Sequence, residues 1–217
     1  MSAYTEASKQ WFASFQDEAR QRGLPCASFW AARLSEPLYF SATGHVNPKK
    51  NAQGTYTASL AFTAKPWAVD SLLWTTLGGN MGGTRKRTGL RAIGAFQAHG
   101  ERFDYANSDS SMPAAQQLDE FLAATRAYEA EVPDIAAFIA RIRGLRAERP
   151  DVSHLHVLLL TLCLILDKRV DEAAAIIDER EPIGGEFQVG DEGVWTTLQK
   201  HLRSSTGIFH PDYEIAY

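Results

Sequence analysis

The sequence predicts an α+β protein: a mostly antiparallel five-stranded sheet with an N-terminal helix and a crossover helix, followed by an all-helical C-terminal half. Two observations lead to this fold class. Apolar residues alternate with polar ones in several segments before residue 106, which is typical of strands, and recur every three or four positions after residue 113, which is typical of helices. The polar stretch 107–113 predicts a linker between a sheet domain at 1–106 and a helical domain at 114–217.

The N-terminal half begins with a predicted helix over 3–22. Trp11 and Phe15 fall on one helical face, and Gly23 and Pro25 follow as stop signals. Alternating apolar residues then predict five strands, at 28–34, 38–46, 55–65, 88–98 and 101–106. Helical spacing between the third and fourth of these strands predicts the crossover helix, over 67–77.

The C-terminal half is predicted to hold five helices, at 114–128, from Pro133 onward, and at 152–166, 170–178 and 191–203. The helix at 152–166 is apolar almost all round, which predicts that it is the buried centre of this half. The three residues 167–169 predict a tight helical hairpin with the helix that follows. Alternation at 186–189 leaves a short strand open as an alternative in this region.

Charge is distributed unequally along the chain, whose net charge is −4. Residues 1–105 contain 12 Lys/Arg against 7 Asp/Glu, and residues 106–217 contain 10 against 19. This asymmetry is typical of two surfaces of opposite sign. Two interpretations remain open: the halves pack together with complementary charge, or the charged surfaces meet a partner.

A glycine-rich basic segment at 78–91, GGNMGGTRKRTGLR, is the first candidate site. It matches neither the GxxxxGK[ST] phosphate loop nor the GxGxxG dinucleotide pattern in any frame. A β-α-β crossover at 55–98 would place this segment at the same end of the sheet as the 47–54 hairpin loop. We therefore predict one partner-binding basic rim formed by Lys49, Lys50, Arg85, Lys86, Arg87 and Arg91. The competing interpretation is a solvated loop.

An acidic, glycine-containing segment at 178–192 is the second candidate surface. Its order of carboxylates does not match a calcium-binding EF-hand loop. It can be a binding loop or a plain connection. The residues proposed for this surface are Glu181, Glu186, Asp191 and Glu192.

The sequence contains no recognisable motif for metal binding or for a catalytic nucleophile. No histidine has metal-ligand spacing, and His154 and His156 would point away from each other on a helix, so no metal or cofactor is predicted. Nucleophile motifs such as GxSxG are absent. Cys26 and Cys163 lie in different segments and are predicted to be reduced thiols.

The charge and hydropathy of the sequence also restrict the expected cellular location and the class of partner. An isoelectric point of about 5.9 and the acidic C-terminal half argue against a nucleic-acid partner. The longest apolar run, 155–166, is too short to span a bilayer, and no signal-peptide pattern is found, so we expect a cytoplasmic protein. The oligomeric state is not predicted.

The order of segments in residues 3–106 resembles small, uncharacterised bacterial domains of the immunity-protein type. The resemblance rests on an N-terminal helix followed by FWAARLSEPLYFSATGHV, TYTASLAFTAKP, LLWTTLGG and LRAIGAF. It implies a compact α+β fold and a role in blocking a cognate toxin. No functional residue is carried over from it.

These observations favour a non-enzymatic cytosolic protein that binds a macromolecular partner, namely another protein, with the resemblance implying toxin neutralisation. The alternative is an enzyme or small-ligand-binding protein with a pocket between the two halves, where pockets commonly occur.

Overall fold

The computed structural model describes residues 2–76, 100–105, 112–148, 153–180, 188–189 and 192–203. Over these residues the protein is α+β, which confirms the predicted fold class. The helices are α1 (Ala3–Gln21), α2 (Ala68–Thr76), α3 (Ala114–Glu131), α4 (Ile135–Glu148), α5 (Ser153–Leu166), α6 (Val170–Arg180) and α7 (Val194–Arg203). The strands are β1 (Cys26–Ala27), β2 (Trp30–Ser35), β3 (Leu38–Lys50), β4 (Tyr56–Pro66), β5 (Glu101–Tyr105), β6 (Gln188–Val189) and β7 (Glu192–Gly193).

Strands β1 to β5 form one antiparallel sheet in which the spatial order follows the chain order. The strand predicted at 28–34 is present as β2, but it begins two residues later, because the chain turns at Ser28–Phe29 between β1 and β2. Strand β4 pairs with β5, and the register shifts between Phe62 and Thr63, where β5 contains one extra residue. The predicted strand at 88–98, and with it the parallel crossover, lies outside the described residues.

The chain divides into two compact units. One comprises Met1–Lys65 and Glu101–Pro133, and the other comprises Pro66–Gly100 and Asp134–Tyr217. Helix α3 therefore belongs with the sheet and helix α2 with the helices, a grouping that differs from the sequence division at 107–113.

In the first unit, α1 and α3 pack on the sheet. The ring of Phe40 lies 5.8 Å from Tyr128 of α3, and the ring of Phe62 lies 5.2 Å from Phe121. Tyr128 also donates a hydrogen bond to the buried carboxylate of Glu101. These buried aromatic contacts hold α3 against β3, β4 and β5.

Polar contacts fix the positions of α1 and α3 further. Arg33 of β2 donates to Thr125 Oγ1 at 2.7 Å and pairs with Glu129 at 2.9 Å, both on α3. Arg22, which caps α1, donates to Asp119 of α3 at 2.9 Å and to Glu18 at 2.6 Å. Hydrogen bonds that involve ionised groups are stronger than those between neutral groups, so these contacts favour a single packing position for each of the two helices.

Helix α1 begins and ends where the sequence predicts. The Ser2 hydroxyl accepts a hydrogen bond from the Thr5 amide at 3.2 Å, as an N-cap does. At the other end Gly23 has φ of +68°, and the amides of Gly23 and Leu24 donate to Arg20 and Ala19. This is the Schellman arrangement, in which glycine takes the left-handed position without a Cβ penalty.

The second unit is organised around α5, which packs against α2, α4 and α6. Every described side chain from Leu159 to Ile165 is buried, which confirms the prediction of a central apolar helix. The predicted helical hairpin is also present, with Lys168 at φ +60° between α5 and α6. Strands β6 and β7 form a two-stranded ladder, which confirms the short-strand alternative at 186–189 in part.

Gly44 of β3 allows α1 to lie close to the sheet, which leads to a first prediction. A Cβ atom at this position would lie 2.7 Å from Cζ3 of Trp11 and 3.1 Å from Cε1 of Phe12. Gly44→Ala should therefore overpack the interface and lower the free energy of unfolding by about 1–3 kcal/mol in urea denaturation.

Gly144→Ala is the matched control, because an added Cβ meets nothing within 4 Å at this position of α4. Removing a glycine from a helix interior should raise stability by about 0.5–1 kcal/mol. Equal effects of the two substitutions would contradict the close contact at Gly44.

The pair between Arg22 and Asp119 leads to a prediction about pH. The hydrogen bond from Arg22 holds the pKa of the Asp119 carboxyl below its ordinary value of 3.8. A depressed carboxyl pKa stabilises the folded state above the unfolded-state pKa, and this stabilisation is lost as pH falls through the folded-state value. Asp119→Asn should therefore be less stable than wild type at pH 7.

The stability difference between the two proteins should shrink as the pH falls through and below 3.8, as measured by urea denaturation at each pH. A difference that stays constant between about pH 7 and pH 3 would show that the Asp119 charge is not what Arg22 stabilises.

Candidate functional site

The predicted basic rim is described only in part. Lys49 and Lys50 lie at the end of β3, and both side chains are exposed. Arg85, Lys86, Arg87 and Arg91 lie outside the described residues, so their convergence with the two lysines stays a prediction. Of the predicted acidic surface, Glu192 lies in β7, opposite Val189. Glu181, Glu186 and Asp191 lie outside the described residues.

A groove of about 440 Å³ runs along α1, beside the hairpin turn that joins β1 to β2. We call it the α1 groove. Its lining residues are Ser8, Lys9, Phe12, Ala13, Gln16, Asp17, Arg20, Ser28 and Phe29. The helical residues form two adjacent rows at four-residue spacing, so one side of α1 supplies most of the groove.

The turn at Ser28–Phe29 is tight and has an unusual backbone. Ala27 pairs with Trp30, which leaves only two residues in the loop. Ser28 has φ of +48° although it is not glycine. A positive φ at the first of two loop residues is the feature of type II′ hairpin turns, where glycine is usual. The protein therefore keeps a side chain at a position that costs about 1 kcal/mol in backbone strain.

Gln16 of α1 holds this turn in place. Its side-chain amide donates to the Ser28 carbonyl at 2.9 Å, and its carbonyl oxygen accepts from Arg20 at 2.9 Å. Arg20 also pairs with Asp17 at 2.9 Å. From the sheet, the amide of Gly44 donates to the Phe29 carbonyl at 2.6 Å. The turn backbone is thus bonded to both α1 and β3.

The Phe29 side chain remains exposed on this anchored backbone. It is 51% accessible, and Leu34 at 49% is the other large exposed hydrophobic side chain in the described part of the chain. Phe29 lines the α1 groove together with the half-buried ring of Phe12, whereas Leu34 does not line it. The groove therefore combines an apolar wall, mixed polar edges and a turn backbone that is hydrogen-bonded to α1 and β3.

Sequence reasoning missed this site because the turn lacks the usual signals. The segment 26–31 contains no Gly, Asn, Asp or Pro at the loop positions, and its aromatic residues are typical of a continuous strand. The two adjacent aromatics Phe29 and Trp30 were the available hint, since neighbouring strand residues face opposite sides.

The two lysines lie at the end of β3, in a part of the strand that has no β2 partner among the described residues. Strand β3 is paired with β2 only up to Thr43, and the contact of Gly44 with Phe29 follows. Beyond it, the carbonyl of Val46 accepts from the Tyr4 hydroxyl at 3.2 Å, and Pro48 lacks an amide hydrogen. Proline and lysine at an edge disfavour pairing with another strand.

The groove is lined by apolar, polar and charged side chains. Its lining contains neither imidazole nor thiol, and its two hydroxyl residues are Ser8 and Ser28. Within the described residues, no group of three or more His, Cys, Asp or Glu side chains could hold a metal ion. The side chains that line the α1 groove can provide apolar contacts, hydrogen bonds and charge.

The chain matches no protein-family model, no curated protein and no solved structure. Among the helices of the described ranges, none has both the length and the apolar character needed to cross a bilayer.

Both cysteines are reduced, as predicted, and their environments differ. Cys163 of α5 is fully buried, and burial raises the pKa of its thiol far above the ordinary value of 9.0. Cys26 is half-buried, with its thiol 3.7 Å from the Gln16 carbonyl beside the α1 groove.

The native protein should therefore show one thiol that reacts with Ellman's reagent and a second that reacts only after unfolding, because the buried thiolate is disfavoured. In Cys26→Ser the reaction of the native protein should disappear, whereas Cys163→Ala should leave it unchanged. Rapid reaction of both thiols in the native protein would contradict the burial of Cys163.

Proposed function

We propose that this protein acts by binding another protein, with Phe29 in the α1 groove as the apolar anchor. The observation that carries the proposal is an aromatic side chain that is half exposed on a backbone held from two sides. Adjoining exposed apolar groups on a positioned loop are typical of binding sites, and Phe29 lies with Phe12 in the α1 groove.

The rigidity of the turn matters for affinity. Ordering a flexible loop on binding opposes association, and a turn already held by Gln16 and Gly44 avoids most of that cost. Aromatic residues at the centre of an interface commonly contribute about 2 kcal/mol or more to binding. Phe29 is exposed enough to make such a contribution to binding, and Phe12 provides a second ring in the same groove.

The resemblance of residues 3–106 to immunity-type domains supports a toxin as the class of partner. Binding that covers a toxin needs a surface that is shaped before the encounter and needs no reacting groups. The α1 groove meets both requirements, and so the proposed mechanism is occlusion of the partner without catalysis.

Photo-crosslinking in cells of the native host tests the proposal. A benzophenone amino acid replaces the exposed Ala13, which lines the groove but is separate from the anchor. We expect a discrete crosslinked protein that mass spectrometry can identify. Adding Phe29→Ala should reduce its yield strongly, since losing about 2 kcal/mol weakens binding roughly 30-fold.

Leu34→Ala is the matched control, because Leu34 is equally exposed on the same sheet but lies outside the groove. Its crosslink yield should equal that of the parent, and circular dichroism should show that both variants are folded. Equal losses in the two variants, or a crosslink unaffected by Phe29→Ala, would overturn the assignment of Phe29 as the anchor.

A further inference from the structure

We infer that the α1 groove binds an acidic protein segment, in which an apolar side chain that contacts Phe29 is flanked by Asp or Glu. The inference rests on the proposed function and extends it to the chemistry of the partner. It is carried by the charges on the β3–β4 hairpin and along the groove.

The β3–β4 hairpin is a cationic element without its own counter-charge. Residues 37–69 contain no Asp or Glu, whereas Lys49 and Lys50 stand together near the loop. Both are exposed, and neither has a carboxylate partner in the part of the chain that the structure describes. An acidic partner would supply the missing counter-charges, and such complementarity favours both encounter and choice of partner.

Side-chain hydrogen bonds hold the backbone at the hairpin end, so both lysines extend from defined backbone positions. The Asn51 side-chain oxygen accepts from the amides of Gln53 and Thr55 and from the Thr55 hydroxyl, at 2.9–3.1 Å. The Asn47 side chain accepts from the Lys49 amide at 2.9 Å. The ammonium group of Lys50 lies 5.3 Å from the centre of the Tyr56 ring, within the range of a cation–π contact.

Tyr4 connects this hairpin to the α1 groove. Its ring lies 5.6 Å from that of Tyr56, and its hydroxyl donates to the Val46 carbonyl. The groove begins at Ser8, one helical turn further along α1, which is roughly 6 Å of helix rise. The two lysines therefore lie beyond the N-terminal end of the groove, on the same unit.

The groove lining itself contains charged side chains of both signs. Lys9 and Arg20 line it together with a single carboxylate, Asp17, which is paired with Arg20. A partner segment that crosses the groove from the Phe29 end toward the hairpin would therefore pass cations at both ends of the apolar wall. A partner segment that has acidic residues on either side of its apolar residue fits this arrangement.

Side-chain docking fits the hairpin better than addition of a partner strand. Along the open edge of β3, the Val46 carbonyl is already bonded to Tyr4, and Pro48 has no amide hydrogen. These features interrupt the row of backbone groups that a partner strand would need. The partner is thus expected to recognise charges and the Phe29 ring.

Selection from a random peptide library displayed on phage tests the inference with the full chain as the target. Peptides that also bind the Phe29→Ala variant are removed, and the remainder are sequenced. We expect an apolar or aromatic residue flanked by Asp or Glu, and binding that weakens as salt rises, because ionic strength screens exposed charges.

Lys49→Glu should weaken binding of the selected peptides by about fivefold, because it replaces an attractive contact with a repulsive one. Arg126→Glu is the matched control: it makes the same charge change at an exposed position of α3, outside the groove. The control should bind the peptides as wild type does.

Three results would overturn the inference, and they are distinguishable. Phe29-dependent peptides without an excess of Asp and Glu would refute the acidic partner and leave the proposed function intact. The absence of any Phe29-dependent peptide would refute both. A dimer seen by light scattering that Phe29→Ala dissociates would assign the groove to a second copy of this chain.

Discussion

The close approach of α1 to Gly44 is the constraint on which the rest of the first unit depends. Trp11 and Phe12 occupy the space where any other residue would place its Cβ atom. The close packing of α1 on β3 brings Gln16 within hydrogen-bond distance of the Ser28 carbonyl and places Phe12 in the lining of the groove. The same strand residue donates its amide to Phe29. One glycine thus links core packing to the surface that we propose as the binding site.

Lys49 and Lys50 have a structural role at the strand edge as well as the recognition role that we propose. At an open strand edge, lysine and proline disfavour association with another β-strand. The same exposed charges, without carboxylate neighbours among the described residues, attract an acidic surface. Because both roles need the lysines to be solvent-exposed, they do not conflict. In the proposed binding, long-range attraction would act on encounter and the apolar contact at Phe29 on retention.

The periodicity of apolar residues was enough to predict the fold class and most helices, because burial of one face determines that pattern. The end of α1 at Gly23 was predictable too, since the left-handed position favours glycine. The site was not predictable in the same way. Ser28 adopts a positive φ without being glycine, and the turn is held by Gln16 of α1 and Gly44 of β3, which are 12 or more residues away in sequence. Local sequence patterns do not predict contacts of this kind between separate elements.

The central claim is that the Phe29 turn is ordered before any partner binds, and backbone ¹⁵N relaxation by NMR tests it most directly. The order parameters of the Ser28 and Phe29 amides should be about 0.85, as in rigid backbone, and should fall in Gln16→Ala. Values below about 0.6 in the wild-type protein would show a flexible loop and contradict the claim.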